Sequence, residues 1–242
     1  MSESNRPLHE SEIAVNVAKA ADANAEAQKH DAERVLFEAQ ARRANEEAEV
    51  AAIVRRTKER EEKAELAKDT HHHVYVFDKA VSEGSVKECV NVLTRWSRQD
   101  PACDIELQIN SPGGSIFDGL ALVDFLRDLE HKGHNITTMA YGMAASMGGV
   151  LLQVGTRRVM GANAMLLIHE GSLGAIGDFG QVEDRIELMK LFHDRILDLF
   201  VERAQPINKA TTKAFIKKNW SRKDWWIPSE LALRLGFVDE VR

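Results

Sequence analysis

The sequence predicts an α/β domain behind a long N-terminal α-helical extension, and two features predict it. From Ser11 to Asp69 the chain holds no glycine and no proline, and alanine, glutamate, lysine and arginine dominate, which is the composition of a long helix. From Val74 onward, short apolar strands alternate with stretches of helical periodicity and with glycine-bearing corners, as α/β layers do. The full chain of 242 residues is 44% hydrophobic and 29% charged, enough apolar material for a core and too much for global disorder.

The extension comes first. A continuous helix over it would be ~85 Å long. Its large apolar residues are sparse, and although Ile13/Val17 and Val50/Ile53/Val54 have helical spacing, no heptad persists over several turns. Such a helix buries little by itself. Two readings stay open: a solvated arm, or an assembly segment, coiled-coil-like, that orders against copies of itself or a partner. The division expected is 1–72 for the arm and 73–242 for the folded domain. At the junction, the run His71-His72-His73 invites a metal reading, but neighbouring side chains of an extended segment point to opposite faces, so a polar connector with no metal is expected.

Val74 to Phe77 reads as a strand. Ser85-Val86-Lys87-Glu88 has the pattern of a capping box, opening a helix that turns Val86, Val90, Leu93 and Trp96 inward. Ile105 to Ile109 alternates as a strand and runs into the turn Asn110-Ser111-Pro112-Gly113-Gly114. A helix carrying Ile116, Leu120, Val123 and Leu126 follows, then a strand at Ile136 to Ala140 and a corner rich in glycine and alanine. Val150 to Leu152 is helical and Ala164 to Ile168 a further strand. Val182 to Ala204 is a long amphipathic helix, and Ala210 to Asn219 a shorter one. On the long helix, Val182, Ile186, Met189, Phe192, Ile196 and Phe200 recur at helical spacing and exceed what one core stripe requires. They predict assembly through this helix, the alternative being that the stripe covers its own sheet.

Charge and cysteine content narrow the functional classes. A net charge of −6 argues against a nucleic-acid binder working through a basic surface. Cys89 and Cys103 cannot form a disulfide framework and fit a reducing compartment. No apolar run reaches the length of a membrane span, and Met1 to Glu10 lacks the apolar core of a secretory signal, so a cytoplasmic protein without a membrane partner is expected.

Three corners carry residues with chemistry. In Ser111-Pro112-Gly113-Gly114-Ser115, paired glycines let backbone approach closely and leave amides free for an anion or oxyanion, although Pro-Gly-Gly is also an ordinary turn. In Gly142-Met143-Ala144-Ala145-Ser146-Met147-Gly148, a serine among small residues at a helix start fits an activated nucleophile, and equally fits an N-cap. In Leu166-Leu167-Ile168-His169-Glu170, a histidine closing an apolar strand fits a rigidly held general base, and equally a satisfied core residue. His193, on the long helix, and His131 and His134, in a polar loop, lack such a setting.

Together these blocks, in this order and spacing, resemble the Clp protease proteolytic-subunit family, over Val74 to Arg242. The resemblance implies a serine endopeptidase on the crotonase-like fold of stacked β-β-α turns. It implies Ser146 as nucleophile, His169 as general base and, before the closing Gly236-Phe237-Val238-Asp239, Asp224 as the acid. The oxyanion hole would be the amides of Gly114 and Met147, and no cofactor is implied. Around Asp224 the chain departs from the family's usual pattern, with Ser221-Arg222-Lys223 before it and Trp225-Trp226-Ile227-Pro228 after it. Asp178, Asp184 and Asp194 are nearer to His169 in sequence but lie in or before the long helix.

The implied partners are polypeptide substrates and copies of the chain, in rings of six or seven subunits, single or stacked. Family members that dock an ATPase tend to be apolar or aromatic on the outward face of the strand entering the Asn-Ser-Pro-Gly-Gly turn, where this chain has Glu106 and Gln108. An unpaired buried carboxylate costs several kcal/mol, so an ATPase partner is doubtful. That departure and the arm suit the phage and prophage members that act in prohead and capsid maturation, with a capsid or scaffold protein as partner and the host cytoplasm as location. The alternatives are a proteolytic subunit of an ATP-dependent complex, an acyl-CoA-handling relative of the fold, and a catalytically silent scaffold.

Overall fold

The computed structural model describes residues 6–171, 176–221 and 223–242; the first five residues of the expected arm, and Arg222 beside the expected acid, lie outside them. Two compact units divide between Glu65 and Leu66.

The first unit is made of helix α1 (Arg6–Leu66), 61 residues without a break, ~90 Å at the α-helical rise. Its described apolar side chains are exposed, Phe37 by 72%. What supports the helix is therefore local. Alanine-rich propensity does most of it, with ion pairs one turn apart between Arg34 and Asp31 (2.6 Å), Arg34 and Glu38 (3.6 Å) and Arg55 and Glu59 (3.5 Å), each contributing about 0.2–0.5 kcal/mol.

The second unit opens with a correction. The histidine run is not extended: α2 (Asp69–His72) is one helical turn, closed by the amides of His71 and His72 on the Lys68 carbonyl (2.9 and 3.3 Å). His73, at φ 52°, ends that turn and redirects the chain. In order follow β1 (Val74–Phe77), α3 (Glu83–Gln99), β2 (Asp104–Ser111), α4 (Ile116–His131), β3 (Asn135–Ala145), α5 (Met147–Leu152), β4 (Arg157–Met160), β5 (Met165–Ile168), α6 (Phe179–Ala204), α7 (Lys213–Trp220), β6 (Trp225–Pro228), α8 (Ser229–Leu235) and β7 (Glu240–Val241).

Helix α3 begins earlier than the sequence pattern suggests. Its N-cap is Ser82, whose side chain accepts from the Ser85 amide while Ser85 Oγ accepts from the Ser82 amide, so Ser85 is the far partner of the capping box. A serine in either place satisfies the same orphan donors, which is why the pattern misplaced the start.

The sheet runs β1-β2-β3-β4-β7, all parallel, with β5 joined to β3 and β6 to β5. Strand β3 outruns its expected end at Ala140 and serves two layers. Thr137 to Ala140 pair with β4, and Met143 to Ala145 pair with β5. Between the two halves Gly142 takes φ 64°, and the Met143 amide donates to Asn110 Oδ1 at 3.2 Å, tying the bend to the end of β2. Helices α3, α4 and α5 cover the sheet through Leu93, Trp96, Leu122, Leu126 and Leu151, all buried.

Helix α6 divides along its length. Ile196, Leu197, Leu199 and Phe200 are buried, whereas Phe179, Ile186, Leu188 and Leu191 are exposed. The stripe predicted for this helix therefore covers the core only in its second half. Near the C-terminus Arg158, 1% exposed, pairs with Asp239 at 2.5 Å and donates to the Gly236 carbonyl and Gln153 Oε1. Nothing in the sequence pattern marks this buried ion pair.

Candidate active site

Strand register brings the predicted residues together. Ala145 pairs with Leu167 across β3 and β5, and the next amide, that of Ser146, donates to the Leu167 carbonyl at 3.0 Å. Ile168 pairs with Trp225 across the antiparallel β5 and β6, so His169 and Asp224 are the residues next in line. Ser146, His169 and Asp224 thus leave three adjoining strands at one end. His169 Nδ1 lies 3.5 Å from Asp224 Oδ1.

Ser146 sits at φ 53°, ψ −121°, a conformation that a non-glycine residue adopts only when its surroundings impose it, at the turn from β3 into α5. It occupies the N-cap position of α5, yet its side chain makes no capping hydrogen bond. His169 Nε2 is buried and has no hydrogen-bond partner. The hydroxyl is not consumed as a cap, nor the imidazole as a satisfied core group.

The glycine turn lies against this pair. A Cβ on Gly113, at φ 90°, would stand 2.6 Å from both Ser146 Cβ and the Ala145 carbonyl oxygen, and one on Gly114 would stand 2.2 Å from the Val81 oxygen. The two glycines are thus required for close backbone approach as well as for any anion binding. Met147 is the first residue of α5, so its N–H has no intrahelical acceptor. Among the described turn and loop bonds, none uses the Gly114 amide as donor.

Ser146 and His169 line a groove of about 470 Å³ floored by Gly114 and edged by Phe117, Arg185 and Met189. They also line a narrower cavity of about 30 Å³ walled by Val150, Ile196, Phe200 and Trp220. His193 lines this cavity too, and its Nε2 is buried without a partner. The sequence reading missed it. The available signal was its spacing, three residues before Ile196 and seven before Phe200, which places it on the inward face of α6.

The other aspartates are engaged elsewhere. Asp178 caps α6 by accepting from the Gln181 amide. Asp194 accepts from Lys217 at 3.0 Å, and that hydrogen bond and charge hold its carboxyl below the usual range. Asp184 is exposed on α6. Glu106 and Gln108 are half-buried neighbours on β2, with Gln108 Nε2 donating to Glu106 Oε1 at 2.7 Å. No described helix is long and apolar enough to cross a membrane.

A strained serine at a strand-to-helix turn and a histidine just past the end of the adjoining strand are residue types that serine hydrolase sites use. Comparison with known proteins narrows this. Residues 57–242 match the Clp protease family. The chain is 35% identical over 163 residues to the "ATP-dependent Clp protease proteolytic subunit 3" of Streptomyces coelicolor, covering 66% of this chain and 71% of the relative. It is 37% identical over 158 residues to the "ATP-dependent Clp protease proteolytic subunit 2" of Tropheryma whipplei, covering 64% and 81%. This chain belongs to the Clp protease family, whose members are serine-type endopeptidases.

Proposed function

We propose that the chain hydrolyses peptide bonds with Ser146 as nucleophile, His169 as general base and Asp224 as the acid. The observation that supports this reading is the β3-β5-β6 register, with the three residues at adjoining strand ends and Ser146 and His169 lining an open groove. Ser146 Oγ attacks the scissile carbonyl, His169 Nε2 takes the hydroxyl proton and returns it to the leaving amine, and Asp224 holds the proton on Nδ1 and offsets the imidazolium charge. The amides of Gly114 and Met147 receive the oxyanion. The 3.5 Å separation of His169 and Asp224 must shorten to about 2.6–3.2 Å in the working state, a tightening that substrate produces in many active sites. Hydrolysis of short fluorogenic peptides by the wild type and its loss in Ser146→Ala test this; equal activity in the two proteins overturns it.

The division of labour we propose gives peptide cleavage and ring assembly to residues 73–242 and recruitment to the arm, residues 1–72. The exposed apolar half of α6 supports assembly through that helix. The arm and the polar Glu106–Gln108 pair favour a member acting in phage prohead or capsid maturation, inside the host cytoplasm, over an unfoldase-fed one. The second reading, a subunit of an ATP-dependent complex, is favoured by the names of the relatives. Stimulation of protein degradation by a Clp-type ATPase decides for the second reading, and its absence for the first.

A further inference from the structure

We propose that His73, Asp100 and Cys103, none of which belongs to the catalytic blocks, form a binding site for a zinc-like divalent cation. One ligand atom from each of the three lies within 4.8 Å of the others. Two come from the turn between α3 and β2, where Asp100 caps α3 through its amide on the Trp96 carbonyl (2.8 Å) and the Cys103 amide bonds back to the Asp100 carbonyl (3.3 Å). The third comes from the other side. The His73 carbonyl accepts from the Glu106 amide at 3.0 Å, and its ring packs edge-on against Trp96 at 5.4 Å. Backbone bonds, not contacts among the three side chains, bring them together. Among the described residues, His73, Asp100 and Cys103 make no side-chain hydrogen bond or ion pair with one another.

His134 packs against Cys103. His134 Nδ1 lies 3.1 Å from the Cys103 carbonyl oxygen and 3.5 Å from its sulfur, and its Nε2 lies 2.8 Å from Ser97 Oγ. A carbonyl only accepts, so Nδ1 carries the proton and the same N–H faces the sulfur. His134 is thereby occupied as a supporting donor, of the kind that orients and tunes metal ligands. Thiolate, imidazole and carboxylate together are the donor set of zinc and similar borderline ions, and bond lengths to zinc place such ligands about 3.3–3.6 Å apart in a tetrahedron. Rotation of the exposed Asp100 and half-buried His73 closes the remaining gap, and solvent fills the fourth position. On binding, the Cys103 thiol releases its proton to the buffer and its sulfur takes up the metal bond. The ion would fasten the residue preceding β1 to the turn preceding β2. The histidine run is thus not itself the site, and only its last member takes part.

The test is a cobalt(II) titration of the full-length protein, kept reduced with a phosphine. The expected result is a thiolate-to-cobalt charge-transfer band saturating at one ion per chain and bleached by zinc. Cys103→Ser should abolish the band; His73→Gln and Asp100→Asn should each weaken binding at least ~10-fold, the loss that even an indirect partner of a ligand causes. His71→Gln and His72→Gln should leave it unchanged. If Cys103→Ser does not fold, as judged by circular dichroism, the His73→Gln titration decides. Absence of the band in the folded wild type, its survival in folded Cys103→Ser or undiminished affinity in His73→Gln, or its loss only on removing His71 and His72, overturns the proposal.

Discussion

His169 and Asp224 face one another because Ile168 and Trp225, the residues inside them, are paired across two antiparallel strands. The Nδ1 to Oδ1 distance of 3.5 Å, with the Asp224 side chain 59% exposed, describes a contact set by backbone register and not by burial of the carboxylate. Replacing Asp224 by Asn should therefore leave the fold and melting temperature nearly unchanged. It should lower kcat about 10⁴-fold, because an amide no longer selects the Nδ1–H tautomer. Steady-state kinetics on a short peptide measure this, with Asp178→Asn and Asp194→Asn staying near wild type.

His193 shares the narrow cavity beside Ser146 with apolar walls. A buried nitrogen without a partner is costly, so His193→Leu should hold or slightly raise thermal stability. It should also lower KM for peptides with a short apolar residue before the cleaved bond, while kcat changes little. Separate KM and kcat values for two peptides differing only at that residue check the split; a loss confined to kcat would place His193 in the chemistry instead.

The pair Arg158–Asp239 is predicted to be a stability element. Burial pushes the Asp239 carboxyl up, but the hydrogen bonds and charge of Arg158 outweigh it and hold the carboxyl below its usual range. A depressed carboxylate stabilises the fold fully above its unfolded pKa of about 3.9, and that stability drains away as pH falls from there through the lower folded value. Asp239→Asn strands the Arg158 charge and should cost about 3 kcal/mol at neutral pH. The wild-type advantage should shrink below about pH 4. Denaturant melts of both proteins across pH measure it.

Deleting residues 1 to 70 should leave an oligomer that still cleaves short peptides, because the exposed Phe179, Ile186, Leu188 and Leu191 of α6 remain after the deletion. Association with capsid or other partner proteins should change. Light scattering with and without the arm is the check, and a monomeric truncated protein would assign oligomerisation to α1.

Much of this was legible in the sequence because the information is local. The uninterrupted helical composition marks α1, and the alternation at Ile105 to Ile109 marks β2. The blocks around Ser146 and His169 stand out in the sequence only when taken together with the glycine turn, in their order and spacing, since each alone also fits an N-cap or a core residue. What was not legible depends on partners distant in the chain. Strands β4, β6 and β7 carry polar, aromatic or proline residues in place of an apolar run and exist through pairing with β3, β5 and β4. Arg158 looks like a surface residue until Asp239 arrives 81 positions later. The cavity that His193 lines is completed by Trp220 and Val150, from other helices. His73 was judged with its two neighbours in the run, whereas its partners come from the α3–β2 turn.

The central claim is that Ser146 is an activated nucleophile. Labelling the wild-type protein with a fluorophosphonate probe and mapping the adduct by mass spectrometry tests it most directly. A single adduct on Ser146 is expected, absent in Ser146→Ala and strongly slowed in His169→Ala. A folded wild-type protein that takes up no probe, or an adduct on another residue that persists in Ser146→Ala, would contradict it.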